Sequence, residues 1–135
     1  MFNLFGKKEK KQNEVEDEKK LSPEELYDIE QNIEKVEHEI NNENGSKELS
    51  KLFEQLGILY SDKNDDSKAI ELLEKSLELE LSMGKGYKKL MGLYNSQRAK
   101  SAKAGDYKKI EYYMQKMDEM RNIAKKVTLG AHKKG

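Results

Sequence analysis

Phe53-Glu54-Gln55-Leu56-Gly57-Ile58-Leu59-Tyr60 returns 34 residues later as Tyr87-Lys88-Lys89-Leu90-Met91-Gly92-Leu93-Tyr94. A bulky ring, a leucine and a tyrosine keep the same offsets in both stretches, and each stretch sits on a helical pattern of apolar residues. Recurrence at such a period marks stacked helical hairpins, units that bury their apolar faces only against a neighbour. Stacks of this kind serve binding more often than catalysis.

The surrounding sequence supplies the other helices. Leu26, Ile29, Ile33, Val36 and Ile40 recur at intervals of 3, 4, 3 and 4. This predicts a first helix over residues 23–43 with a single apolar seam. Ser22, Pro23 and Glu25 form the start signal: a cap, a proline at the first helical position and a capping-box glutamate. Ser46 is expected to cap a second helix carrying Leu49, Leu52, Phe53, Leu56, Leu59 and Tyr60. After the turn-rich Ser61 to Asp65, Asp65 or Asp66 caps a third, with Ala69, Ile70, Leu73, Leu77 and Leu81 on its apolar face. Met83 to Gly86 breaks the chain again. A fourth helix carries Tyr87, Leu90, Met91 and Tyr94 to about Ala104, and Gly105-Asp106 stops it and caps a fifth. The fifth carries Ile110, Tyr113, Met114, Met117, Met120, Ile123, Ala124 and Val127, with Gly130 as its expected terminator. No segment alternates as a strand does, so the class is all-α, with antiparallel neighbours joined by short links. Residues 1–21 read as a disordered charged tail, 22–130 as the helical domain and 131–135 as a loose end.

Helices two and three resemble a tetratricopeptide repeat, whose pattern W-x2-L-G-x2-Y, then A-x3-F, appears as Phe53, Leu56, Gly57 and Tyr60, then Ala69 and Leu73. Leu81 stands where the family has a proline, so the third helix is expected to run on to Gly84. The second unit matches at Tyr87, Leu90 and Tyr94, with Met91 in the glycine place. Its second helix aligns Asp106 with Asp66, an offset of 40 that puts Lys109 in the place of Ala69. The resemblance implies a short stack of one good and one elongated repeat, capped by the first and fifth helices. It also implies a groove lined by the second and fourth helices. Lys51, Glu54, Ile58, Ser61 and Asp62 would form one wall; Lys85, Lys88, Asn95 and Arg98 the next, with Tyr94 nearby. Asn95 and Arg98 would hold a peptide backbone or carboxylate. The family's clamp for chaperone tails is not reproduced, because Glu54 and Ile58 stand where it needs a lysine and an asparagine.

The formal charge of zero conceals an asymmetry: residues 24–83 carry a net −11, residues 84–109 a net +7 and residues 110–135 a net +3. Such a field steers charged partners and favours self-association at low salt. The partner expected is a protein or peptide, acidic in character, with a second copy of the chain as a further candidate. Nucleic acid is the lesser reading for the lysines of 84–109. Met1, Phe2, Leu4 and Phe5, followed by Lys7, Lys8, Lys10 and Lys11, form a weak two-part signal for contact with the inner face of a membrane.

Catalytic and metal chemistry find little to stand on. There is no cysteine, which excludes disulfides and thiolate sites and suits a reducing, cytoplasmic compartment. His38 and His132 are too far apart and too alone for zinc. Asp62, Asn64 and Asp66 imitate half a calcium loop, but Ser67 and Leu73 stand where it needs a glycine and a glutamate. Gly84-x-Gly86 follows no strand, and the glutamates are spread over solvated faces rather than gathered in a pocket. No run reaches the ~20 apolar residues of a membrane span, and Met1 to Phe5 is too short for a signal-peptide core. No enzyme and no cofactor are expected.

Overall fold

The computed structural model describes residues 20–134, with side chains through Gly130. The charged tail and the membrane-contact segment read from residues 1–19 lie outside the described residues. Five helices follow in order: α1 (Pro23–Asn41), α2 (Ser46–Asp62), α3 (Asp66–Leu79), α4 (Lys85–Ala104) and α5 (Tyr107–Lys134). No strand occurs among the described residues. The chain is an all-α stack of antiparallel hairpins, α2 on α3 and α4 on α5. The α1 helix lies on α2, α4 on α3, and α2 touches α4 across the hairpin boundary.

The starts and stops obey local chemistry. Ser22 accepts from the Glu25 amide at 3.1 Å while the Glu25 carboxylate accepts from the Ser22 amide at 2.9 Å, completing the capping box. The α2 helix starts one residue earlier than expected. Gly45 is its cap, held by the Glu43 carboxylate at 3.0 Å, and Ser46 is already helical. At its far end Asn64 takes φ 70, and Gly105 takes φ 71 after α4, a left-handed turn that lets the chain reverse. Asp65 and Asp106 then cap α3 and α5, each accepting from an amide three residues on at 3.2 Å.

These matched turns correct the register of the second unit. Asp65 pairs with Asp106, an offset of 41 rather than 40. The insertion is therefore seven residues, about two helical turns, which keeps every side chain in phase. Six would have rotated the helix by about a third of a turn. Half-buried Ile110, not exposed Lys109, stands in the place of Ala69.

The tightest crossing lies between α2 and α3. Ala69 and Leu73 are fully buried. A methyl placed on Gly57 would stand 2.7 Å from Leu73 Cγ and 3.3 Å from the Ala69 carbonyl. Two turns away, Ser50 Oγ donates to the Ser76 carbonyl at 2.8 Å and Ser76 Oγ to the Ser50 carbonyl at 2.7 Å. Small side chains thus let the two backbones approach, and the buried hydroxyls are satisfied by the facing helix. The first hydrophobic cluster sets Ile33 and Val36 of α1 against Leu56 and Leu72; the second joins Ala69, Leu73 and Leu77 to Leu90, Leu93, Tyr94 and Met120.

Two expected endpoints move. The α3 helix stops at Leu79, where Glu80 turns extended and Leu81 is left exposed. It has by then reached the start of α2, since Ser76 already faces Ser50, and further turns would pack on nothing. Gly130 does not terminate α5, whose backbone continues to Lys134.

Two helical glycines, buried Gly57 of α2 and exposed Gly92 of α4, should respond with opposite sign to alanine. Gly92 has nothing within 4 Å of an added methyl. Gly92→Ala should therefore raise stability by about 1 kcal/mol through helix propensity alone. Gly57→Ala should lower it by ~1 kcal/mol, the overpacking against Leu73 exceeding the same propensity gain. Urea denaturation of the two variants checks this; shifts of the same sign would contradict the close crossing.

Candidate functional site

The helices α2 and α4 are first helices of successive hairpins, and a trough lies along them. Its basic end is a hollow of about 410 Å³ lined by Ile58, Lys85, Lys88, Lys89 and Gly92. Ile58 and Lys85 also line the next hollow, with Asn32, Lys35, Val36, Glu39, Gln55 and Leu59. Glu39 and Gln55 in turn continue into a third, with His38, Asn42, Glu43, Glu48, Lys51 and Leu52. Shared residues make the three hollows one path across α4, α2 and α1. Its sign changes along the way, from three lysines to three glutamates, over a floor of Ile58, Leu59 and Val36.

Lys85, Lys88 and Lys89 have no ion-pair partner among the described residues. Lysines at 85, 88 and 89 share one flank of a helix by spacing, and they sit in the first turns of α4, the end where the helix dipole repels cations. Their charge is therefore uncompensated from within. Glu54, expected in the facing wall, is committed elsewhere. It is not a free wall of the groove: its Oε2 accepts from the Gly86 amide at 2.8 Å. The α4 helix has no side-chain cap of its own at Gly84, so this carboxylate from α2 serves as its cap. A methyl on Gly86 would come within 2.6 Å of the same oxygen, which explains a glycine there.

The structure divides the other expected site residues. Ile58, Lys85 and Lys88 line one hollow together. Lys51 lies at the acidic end of the path. Asn95 and Arg98 lie farther along α4 and bind each other, Arg98 Nε donating to Asn95 Oδ1 at 3.1 Å. Tyr94 is not a groove residue. It is 2% exposed in the second cluster, and its hydroxyl donates to Glu74 of α3. Glu74 also meets Lys116 of α5 at 3.7 Å, so one carboxylate links three helices. Burial first, and then Glu74, raise the Tyr94 pKa far above its ordinary value of 10.0. Burial likewise raises Tyr113, which packs on Tyr94 with ring centroids 6.2 Å apart. Tyr113 thus packs against the core, and of the lysines behind the nucleic-acid reading Lys100 is paired with Asp66 at 3.6 Å.

Sequence reasoning missed Lys89 and Gly92 as trough residues and Glu54 as a cap. Lys89 and Gly92 were legible from helical spacing alone; the Glu54 contact depends on how the hairpins dock. Asp66, half of the calcium-like motif, instead pairs with Lys100 and accepts from Gln97 Nε2 at 3.3 Å. No described helix is long and apolar enough to cross a membrane. No protein-family model, curated protein or solved structure matches the chain.

Glu54→Ala should cost about 1–2 kcal/mol, the scale of a lost cap or of a hydrogen bond to a charged group, with Glu54→Gln losing less. Equilibrium unfolding measures it. Tyr94→Phe should cost about 1 kcal/mol at neutral pH. Below pH 10 the hydroxyl is protonated in folded and unfolded chains alike, so its contribution is fully present. Above that the unfolded chain loses the proton first, so this contribution falls as pH rises. The wild-type advantage over Tyr94→Phe should therefore narrow in alkaline buffer; an unchanged gap would contradict the burial of the hydroxyl.

Proposed function

We propose that this chain is a short tetratricopeptide-type adaptor, without catalytic activity, that binds an extended protein segment along the α1–α2–α4 trough. The ligand's acidic end lies against Lys85, Lys88 and Lys89, an apolar side chain rests over Ile58 beside Gly92, and basic residues lie toward Glu39, Glu43 and Glu48. The observation that carries this reading is three lysines, unpaired among the described residues, beside an apolar floor in one continuous path. The 34-residue return of Leu56 and Tyr60 as Leu90 and Tyr94, and the Gly57–Ala69 approach, support the family reading. The cysteine-free composition supports a cytoplasmic setting.

A fluorescein-labelled peptide with a basic start, a central leucine and an acidic end, followed by anisotropy, tests the assignment. The double variant Lys85→Glu, Lys88→Glu should bind it at least about tenfold more weakly, or ~1.4 kcal/mol. Lys125→Glu with Lys126→Glu makes the same change in net charge away from the trough and should leave affinity within about twofold. Equal losses in both variants would mean attraction by overall charge alone and would remove the trough as the site.

A further inference from the structure

A second concavity lies on another side of the stack, between α3 and α5. Leu77, Leu81, Leu90, Met120 and Ile123 form its apolar lining, and it encloses about 220 Å³. Its rim is carboxylate-rich: Glu74, Glu78 and Glu119 stand around a single Lys116. Lys116 spans Glu74 and Glu119 at 3.7 Å each, while Glu78 has no ion pair among the described residues. Leu81 is 52% exposed here, and Met83, two residues on, is 41% exposed. None of the trough's lysines lines this cleft, whose lining suits a ligand of the opposite kind: apolar, then basic.

The chain carries such a segment. Met1-Phe2-Asn3-Leu4-Phe5 is followed by Lys7, Lys8, Lys10 and Lys11, all outside the described residues. The sixteen residues from Phe5 to Lys20 reach up to about 50 Å when extended. Glu30 of α1 meets Lys63 of the α2–α3 turn at 3.4 Å, so the start of α1 at Pro23 lies about 10 Å beyond that turn. The cleft lies at the other end of α3, about 30 Å along the helix axes from the start of α1 and roughly two interhelical spacings of 8–10 Å across, a straight-line span of about 35 Å. The linker covers that span with length to spare.

We propose that Phe2, Leu4 and Phe5 dock in the α3–α5 cleft of their own chain, with the lysines that follow against Glu78 and Glu119. Aromatic and leucine side chains cover Leu81, and methionine and isoleucine at the floor supply an adaptable apolar seat. Charge attraction at the rim makes the docking salt-sensitive. This site is separate from the trough and does not depend on what the trough binds.

The cysteine-free sequence allows a direct test in the 135-residue chain. A nitroxide attached at Asn3→Cys should broaden the methyl signals of Met120 and Ile123, and high salt should restore them. The same label in a chain that also carries Phe2→Ser, Leu4→Ser and Phe5→Ser should leave those signals sharp. Absence of broadening at the cleft, or broadening that survives the serine substitutions, would overturn the proposal. Mixing isotope-labelled protein with unlabelled spin-labelled protein separates the two sources of the terminus. Broadening there of the same size would overturn docking within one chain and assign the cleft to the terminus of a second copy.

Discussion

The close crossing of α2 and α3 is the constraint on which the other contacts rest. Gly57 admits Leu73 and the Ala69 carbonyl to distances that a methyl group would forbid, and Ser50 and Ser76 clasp the two helices farther along. With the pair drawn together, Leu56 and Leu72 present one apolar face to α1, and Leu73 and Leu77 present another to α4. A larger residue at 57 would spread both faces at once. The first hairpin is in this sense the template, and its neighbours on either side inherit their positions from it.

The second hairpin is built more loosely. Met91 and Ile110 replace Gly57 and Ala69, so α4 and α5 cannot approach as α2 and α3 do. Directional contacts help to fix it instead: Glu54 to the Gly86 amide, Tyr94 to Glu74, Lys116 to the same carboxylate, and the Tyr87 hydroxyl to the Met120 carbonyl at 2.9 Å. These contacts also shape the electrostatics. Glu54 is used on a backbone amide rather than on a lysine, so the start of α4 keeps its cationic flank. The same docking that closes the core therefore leaves the trough charged.

Much of this was legible in the sequence because it depends on local spacing. The five helices, the Ser22–Glu25 box, the Gly105-Asp106 reversal and the small residues at 57 and 69 each follow from short-range chemistry. What failed depends on partners distant in the chain. Periodicity alone could not show that Leu81 overshoots the start of α2, or that Gly130 lies within a continuing helix. Tyr94 read as a groove residue because its position on α4 is known from spacing, while its burial depends on α5 and Glu74. The offset of 40 rather than 41 arose from matching Asp66, when Asp65 is the residue that caps. Lys85 and Lys88 are legible as neighbours by helical spacing, but their lack of an ion-pair partner among the described residues follows only from where Glu54 turns.

The stack depends on the second hairpin docking against the first through the start of α4, which sets α2 and α4 side by side with the trough between them. Nuclear Overhauser measurements at the Gly86 amide test this most directly. The structure predicts cross-peaks from that amide to the Glu54 side-chain methylenes, 32 residues earlier in the chain. A Gly86 amide that shows contacts only to its own helical neighbours would contradict the stack and the trough with it.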